Sequence, residues 1–175
     1  DESYQAETWS YAFPTASGKF DFSVAGGDLK ALFTPVPPEG DSGSYNLKLI
    51  PYDLVRVAND PVGSPPFLIK IVADTILKGN TLLVEVNPET ARAAGFAEGD
   101  RAILKTPLGS ATVGIHLSDG LMPGLVAIPR GFGHTAFDRY LADKGINAND
   151  LIGSVEDATS GLDAAWGIFA SLVKA

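Results

Sequence analysis

The 175-residue chain contains no cysteine. Disulfides, zinc–thiolate sites and cysteine-ligated iron–sulfur clusters are therefore excluded on its own residues. Histidine is nearly as scarce, with only His116 and His134, so a histidine-rich metal centre is excluded as well. No apolar run approaches the ~18 residues that a membrane-crossing helix needs, and no direct membrane insertion is expected. The opening residues, Asp1-Glu2-Ser3-Tyr4, carry neither a basic nor an apolar stretch, so any export signal is expected on a longer precursor or a partner. Positive charge is also in deficit: 13 Lys and Arg against 21 Asp and Glu leave a net charge of −8. Nucleic acid and anionic lipid are thus poor whole-surface partners. A local anion site, built from backbone amides and a few arginines, stays compatible with that charge.

What the chain does have is apolar residues, at 45 %, against 19 % charged, a globular composition. Nineteen glycines and twelve prolines point to short strands separated by frequent turns. Residues 1–44 read as an extension and linker from a preceding domain. They hold a short strand over Lys19–Val24 and a proline- and glycine-rich stretch over 35–44. The compact domain is expected over 45–175. Tyr45–Tyr52 alternates like a strand, and residues 53–80 read as a long loop with little regular structure. Leu82–Val86 is a strand. Asn87-Pro88-Glu89 then cap a short helix that Gly95 stops. Arg101–Thr106 and Ser110–His116 form a hairpin around Pro107-Leu108-Gly109, and Leu125–Pro129 is a further strand. Ala136–Ala142 is expected to be a short helix. Ala165–Lys174 fits either period, and the strand is preferred because a barrel needs a closing partner.

From Val84 to His134 the pattern becomes specific: Val84-Glu85-Val86-Asn87-Pro88-Glu89-Thr90-Ala91, then Gly95, Gly99-Asp100, Gly109, Pro123-Gly124 and Pro129. This order resembles the molybdopterin dinucleotide-binding domain that closes the large subunit of the molybdopterin oxidoreductase (dimethyl sulfoxide reductase) family. Thr15-Ala16-Ser17-Gly18-Lys19 and Gly145-Ile146-Asn147-Ala148-Asn149-Asp150-Leu151 are similar to two further segments of that family. Ser64-Pro65-Pro66-Phe67-Leu68, Asp74-Thr75 and Leu77-Lys78-Gly79 look like its polysulfide, tetrathionate and quinone reductase branch. The resemblance implies a mainly β fold, a six-stranded double-psi β-barrel with a few short helices. It implies a parent subunit that carries molybdopterin guanine dinucleotide with molybdenum or tungsten. The partners implied are the remaining domains of that subunit, with iron–sulfur and membrane subunits beyond them. The branch favours a periplasmic location. No catalytic residue or metal ligand is expected on this chain, and no cofactor is expected to be retained by the isolated domain. The alternative is a degenerate barrel with a structural or assembly role in an electron-transfer complex that lacks the metal cofactor.

Three loops carry the candidate cofactor contacts. Tyr52, Arg56 and Asn59, beside Asp53 and Asp60, follow the first core strand. Arginine and asparagine offer donors in fixed planar geometry to phosphate and pterin edges; the plain alternative is a solvated loop. Arg130, Gly131, Phe132, Gly133 and His134 follow a later strand. There, glycines let a backbone approach a ligand, Arg130 suits a pyrophosphate and His134 a pterin; the alternative is a tight barrel corner. Asn147 and Asn149 offer amides, or else plain turn chemistry. Rival motifs are incomplete. Asp74-Thr75 lacks the glycine of an aspartic protease, and Gly109-Ser110, which resembles a self-cleaving decarboxylase pair, sits in a hairpin. A stand-alone hydrolase or decarboxylase lacks a nucleophile–base–orienter set.

Overall fold

The computed structural model describes residues 13–21, 37–57, 64–136, 139–157, 161–165 and 167–175. The chain divides into two compact units, residues 1–35 and 36–175. In the first, Thr15–Lys19 forms a turn. The Thr15 carbonyl accepts the Gly18 N–H at 3.0 Å, the Thr15 hydroxyl donates to the Lys19 carbonyl at 2.7 Å, and Phe13 meets Phe20 edge to face. The strand expected over Lys19–Val24 is not seen in its described part, residues 19–21; its remainder lies outside the described residues.

The second unit is a closed barrel. Its strands are β1 (Leu47–Tyr52), β2 (Leu77–Lys78), β3 (Thr81–Val86), β4 (Arg101–Lys105), β5 (Ser110–Leu117), β6 (Leu125–Pro129) and β7 (Ile168–Lys174). The sheet order β2-β3-β5-β4-β7-β1-β6 closes through a β3–β6 pairing, so six strands make the barrel and β2 is an addition outside it. Parallel pairs join β1 to β6 and β3 to β5, and every other strand pairing is antiparallel. This is the double-psi barrel architecture implied by the motifs. β4 alternates buried and exposed residues, the signature of one face inward. β6 buries all but its first residue and β3 has the buried run Leu82–Val84, as strands covered on both sides do. Leu49, Leu82, Leu104, Ile115, Ile128 and Ile168 fill the centre, each fully buried or nearly so. The segment read as a linker reaches the barrel at Glu39, whose carbonyl accepts the Phe169 N–H at 2.9 Å.

Two short helices stand among the described residues. Helix α1 (Pro66–Lys70) starts on a proline, which supplies the right φ and gives up only an N–H that has no helical partner there. With β2, it gives regular structure to a stretch that reads as loop in the sequence. Helix α2 (Pro88–Ala93) begins as its cap residues dictate: the Asn87 side-chain oxygen accepts the Glu89 N–H at 2.8 Å. The Asn87 amide also donates to the Leu121 carbonyl at 2.7 Å, fixing the helix start to the β5–β6 connection. The helix expected over Ala136–Ala142 is absent among the described residues of that segment, where 139–143 form turns. Asp143, at φ 61°, donates its N–H to the His134 carbonyl. The backbone groups there serve a neighbouring loop, and the left-handed residue ends any helical run.

Candidate functional site

β1 and β6 run parallel, so their last residues, Tyr52 and Pro129, emerge side by side. The Arg130 N–H extends that ladder by donating to the Tyr52 carbonyl at 2.9 Å. The two loops that follow therefore start from one rim of the barrel. Across them, the Arg130 guanidinium grips Asp53 with both arms, Nε to Oδ1 at 2.7 Å and Nη2 to Oδ2 at 2.9 Å. The Asp53 bond raises the Arg130 pKa further, against a smaller opposing effect of burial and with help from Asp53 and Asp163 charge. Tyr52 turns to Glu85 on β3, donating its hydroxyl at 2.8 Å. Burial and then this bond push the phenol above its ordinary value, so Tyr52 stays protonated and serves as a donor.

Behind Arg130, the 131–135 loop locks into the 143–147 loop. The Gly133 N–H donates to the Lys144 carbonyl at 2.8 Å, and the Gly145 N–H donates to the Asn80 carbonyl at 3.0 Å. Gly133 (φ 79°) lies so close to Ile146 and Asn147 that a side-chain Cβ there would occupy their backbone. The close approach that this glycine permits is thus one loop against another. Phe132 is buried in the core, which leaves only its backbone for a ligand. Asn147 caps a single 3₁₀ turn (Ala148–Asp150): its oxygen accepts the Asn149 N–H and its amide donates to Asp150, both at 3.1 Å.

Two cavities open beside these loops. One, of about 240 Å³, has Gly133, His134, Asp143, Asn147 and Asp150 among its walls. The other, of about 310 Å³, is lined by Arg130, Asn149, Ser154 and Asp163 together with apolar neighbours. The structure thus brings Tyr52, Arg130, Gly131, Gly133, His134, Asn147 and Asn149 to one interlocked set of loops. Arg56 is exposed on the loop after β1 and lines neither cavity, and Asn59 lies outside the described residues. Asp53, Ser154 and Asp163 were not singled out as contacts from the sequence. Only Asp53, at a strand end beside Tyr52, carried a positional signal there. Thr106, the buried threonine of the β4–β5 hairpin, donates to the Leu151 carbonyl at 2.8 Å and ties the hairpin to the Asn147 turn.

The donor set suits part of a phosphate-bearing, amide-edged cofactor: a forked guanidinium, an exposed amide and a hydroxyl around one cavity, a histidine and an asparagine at the other. At about 310 and 240 Å³ the two cavities lie at and below the lower end of the ~300–1,000 Å³ of sites that enclose a small molecule. Among the described residues no cluster of His, Asp or Glu is placed to hold a metal, and no helix is long and apolar enough to cross a membrane.

Acetylene hydratase from Pelobacter acetylenicus shares the fold, with a TM-score of 0.54 at 16 % identity over 77 % of this chain and 19 % of that one. The menaquinone reductase molybdopterin-binding-like subunit of Nitratidesulfovibrio vulgaris is 34 % identical over 129 residues, 74 % of this chain and 19 % of the relative. The arsenate respiratory reductase molybdopterin-containing subunit of Chrysiogenes arsenatis is 34 % identical over 94 residues, 50 % of this chain and 11 % of the relative. The chain thus spans about a fifth or less of the length of each of these relatives. Residues 74–165, more than half of the chain, match the molybdopterin dinucleotide binding domain. With the double-psi barrel and the loop set above, that match carries the conclusion: the chain belongs to the molybdopterin dinucleotide-binding domain family of the molybdopterin oxidoreductases.

Proposed function

We propose that this domain, as part of a molybdopterin oxidoreductase large subunit, holds and covers one portion of a molybdopterin guanine dinucleotide. The observation that carries the reading is the placement of Arg130, His134, Asn147 and Asn149 in the walls of two cavities beside one set of interlocked loops. Arg130 would bind a phosphate, because its planar fork matches two phosphate oxygens. Asn149 and the Asn147 turn would present amides to a ring edge, and His134 would hydrogen-bond the pterin. Tyr52 stays protonated and orients Glu85. Arg56 and Asn59 would add contacts from the loop after β1. When bound, the cofactor supplies two-electron or oxygen-atom transfer at molybdenum or tungsten. The chain's own residues bind it, orient it and keep water from it. The rest of the cofactor would contact the remaining domains of the large subunit. Iron–sulfur and membrane subunits and a periplasmic location belong to the same reading.

A second reading has one observation in its favour: the relative from Nitratidesulfovibrio vulgaris is named molybdopterin-binding-like, not molybdopterin-containing. On that reading the barrel serves structure and assembly in an electron-transfer complex. One experiment separates the two. The intact large subunit is purified and assayed for molybdenum, tungsten and pterin, and the 175-residue chain is titrated with a guanine dinucleotide while its amide resonances are followed. The first reading expects metal and pterin in the purified protein, with shifts at Arg130 and Asn147 in the chain. A preparation free of metal and pterin, with no shifts in the chain, would sink it and leave the second.

A further inference from the structure

The Asp53–Arg130 pair poses a problem for any anion at this site. Asp53 takes Nε and Nη2, the edge of a guanidinium that a phosphate engages in the same two-armed way. We propose that Asp53 is an internal stand-in for a phosphate, holding the Arg130 fork in binding geometry until a phosphate group displaces it. The inference rests on the reading of Arg130 as the phosphate ligand.

Three observations favour a stand-in over a structural staple. The backbones of the two loops are already latched where they leave the barrel, by the Arg130 N–H on the Tyr52 carbonyl at 2.9 Å, so the rim has a fastening of its own. Both side chains reach solvent, with accessibilities of 36 % for Arg130 and 52 % for Asp53, so water competes for the pair. Arg130 also lines the cavity that holds Asn149 and Ser154, so a displacing anion would find further donors within that cavity. A phosphate carries more negative charge than a carboxylate and three acceptor oxygens, which favours it over Asp53 once it arrives. Asp163, on the same cavity wall, adds negative charge near Arg130, so any anion that binds there must bring other contacts with it. The consequence is a site that rejects solitary weak anions and yields to a phosphate that brings other contacts with it.

The test titrates the full 175-residue chain with inorganic pyrophosphate and with guanosine diphosphate, by calorimetry and by the Arg130 Nε–H resonance. Asp53→Asn removes the competing charge. Asp163→Asn removes a negative charge near Arg130 without freeing the fork. Arg130→Gln removes the ligand. The stand-in predicts about two- to five-fold tighter pyrophosphate binding in D53N, the range spanned by an exposed ion pair. It predicts a smaller gain in D163N, loss of binding in R130Q and in the D53N/R130Q pair, and a thermal midpoint little changed in D53N. If R130Q abolishes binding while D53N binds more weakly than the parent or gains no more than D163N, Asp53 orients Arg130 and is no stand-in; the phosphate role of Arg130 then survives. If neither the parent nor D53N binds either probe, both the stand-in and the phosphate reading fall.

Discussion

At the scale of single residues, the glycines that look like ligand cradles do more for the protein itself. Gly133 combines a left-handed backbone, φ 79°, with a position against the backbone of Ile146 and Asn147. Gly124 shares the left-handed backbone, φ 84°, but has open space where a Cβ would go. The pair separates two costs. Gly124→Ala meets only the conformational penalty, about 1 kcal/mol. Gly133→Ala must also push apart two loops, so it should cost at least ~3 kcal/mol, in the range of strained or overpacked sites. Differential scanning calorimetry of the two variants checks this: a lowering of roughly 2–4 °C for G124A and several times that for G133A is expected. Equal losses would mean that the 143–147 loop yields freely. At this scale the sequence was informative about residue type and silent about partner. Gly131-Phe132-Gly133 announces an unusual backbone, but whether that backbone faces a ligand or another loop depends on contacts more than ten residues away. Asn147 is the same case, an amide read as a cofactor donor and observed as a cap.

Elements whose cause is local were legible. Asn87-Pro88-Glu89 specifies the start of α2 because cap, fixed φ and first-turn acid all act within three residues, and α2 begins as read. The hairpin at Pro107-Leu108-Gly109 is equally local. The described residues of 136–142 form no helix, for the opposite reason. Asp143 is recruited by the His134 carbonyl, a partner from another loop. A second non-local clasp makes a prediction. Glu98, on the turn before β4, accepts the Leu117 N–H at 2.6 Å and the His116 ring N–H at 3.1 Å at the end of β5. Burial alone would raise the Glu98 pKa, but the Leu117 and His116 bonds and the Lys78 charge outweigh it and hold the carboxyl below its ordinary 4.5. A carboxylate with a depressed native pKa stabilises the fold above its unfolded pKa, and that contribution fades as pH falls through the lower native value. Glu98→Gln should therefore be less stable than the parent at neutral pH, by a few tenths to about 1 kcal/mol given the exposure of the pair. The difference should shrink as pH falls and vanish only in acid well below the lowered native pKa, where the parent's carboxyl is protonated too. Urea denaturation of both proteins across that range measures it; a gap that persists at low pH would assign the effect to packing.

For the whole molecule, the six barrel strands were readable but their pairing was not, because alternation along a strand reports which side is buried and says nothing about which strand lies alongside. The parallel pairs β1–β6 and β3–β5 join segments far apart in sequence, and only the family resemblance pointed to the barrel that they make. β7 shows what that closure is worth. It pairs with β4 through Ala102–Lys105 and with β1 through Leu47–Leu49, filling the gap between two strands that have no other strand neighbour on that side among the described residues. It also delivers Ile168 and Ala170 to the core, both fully buried or nearly so. Two graded changes follow. Ile168→Ala leaves the ladder and opens a cavity, at a cost of about 2–5 kcal/mol. Removal of residues 168–175 takes the cavity-lining side chains and both ladders together, and exposes two strand edges that invite pairing with other chains. Against a typical domain stability of about 5–15 kcal/mol, the first variant should still unfold in one cooperative transition, roughly 5–15 °C lower than the parent. The truncated chain should show no cooperative transition and should associate at micromolar concentration. Circular dichroism melts with light scattering distinguish these outcomes. A truncated chain that stays monomeric and melts cooperatively would show that the other five barrel strands hold together without closure, and that β7 caps the barrel instead of completing it.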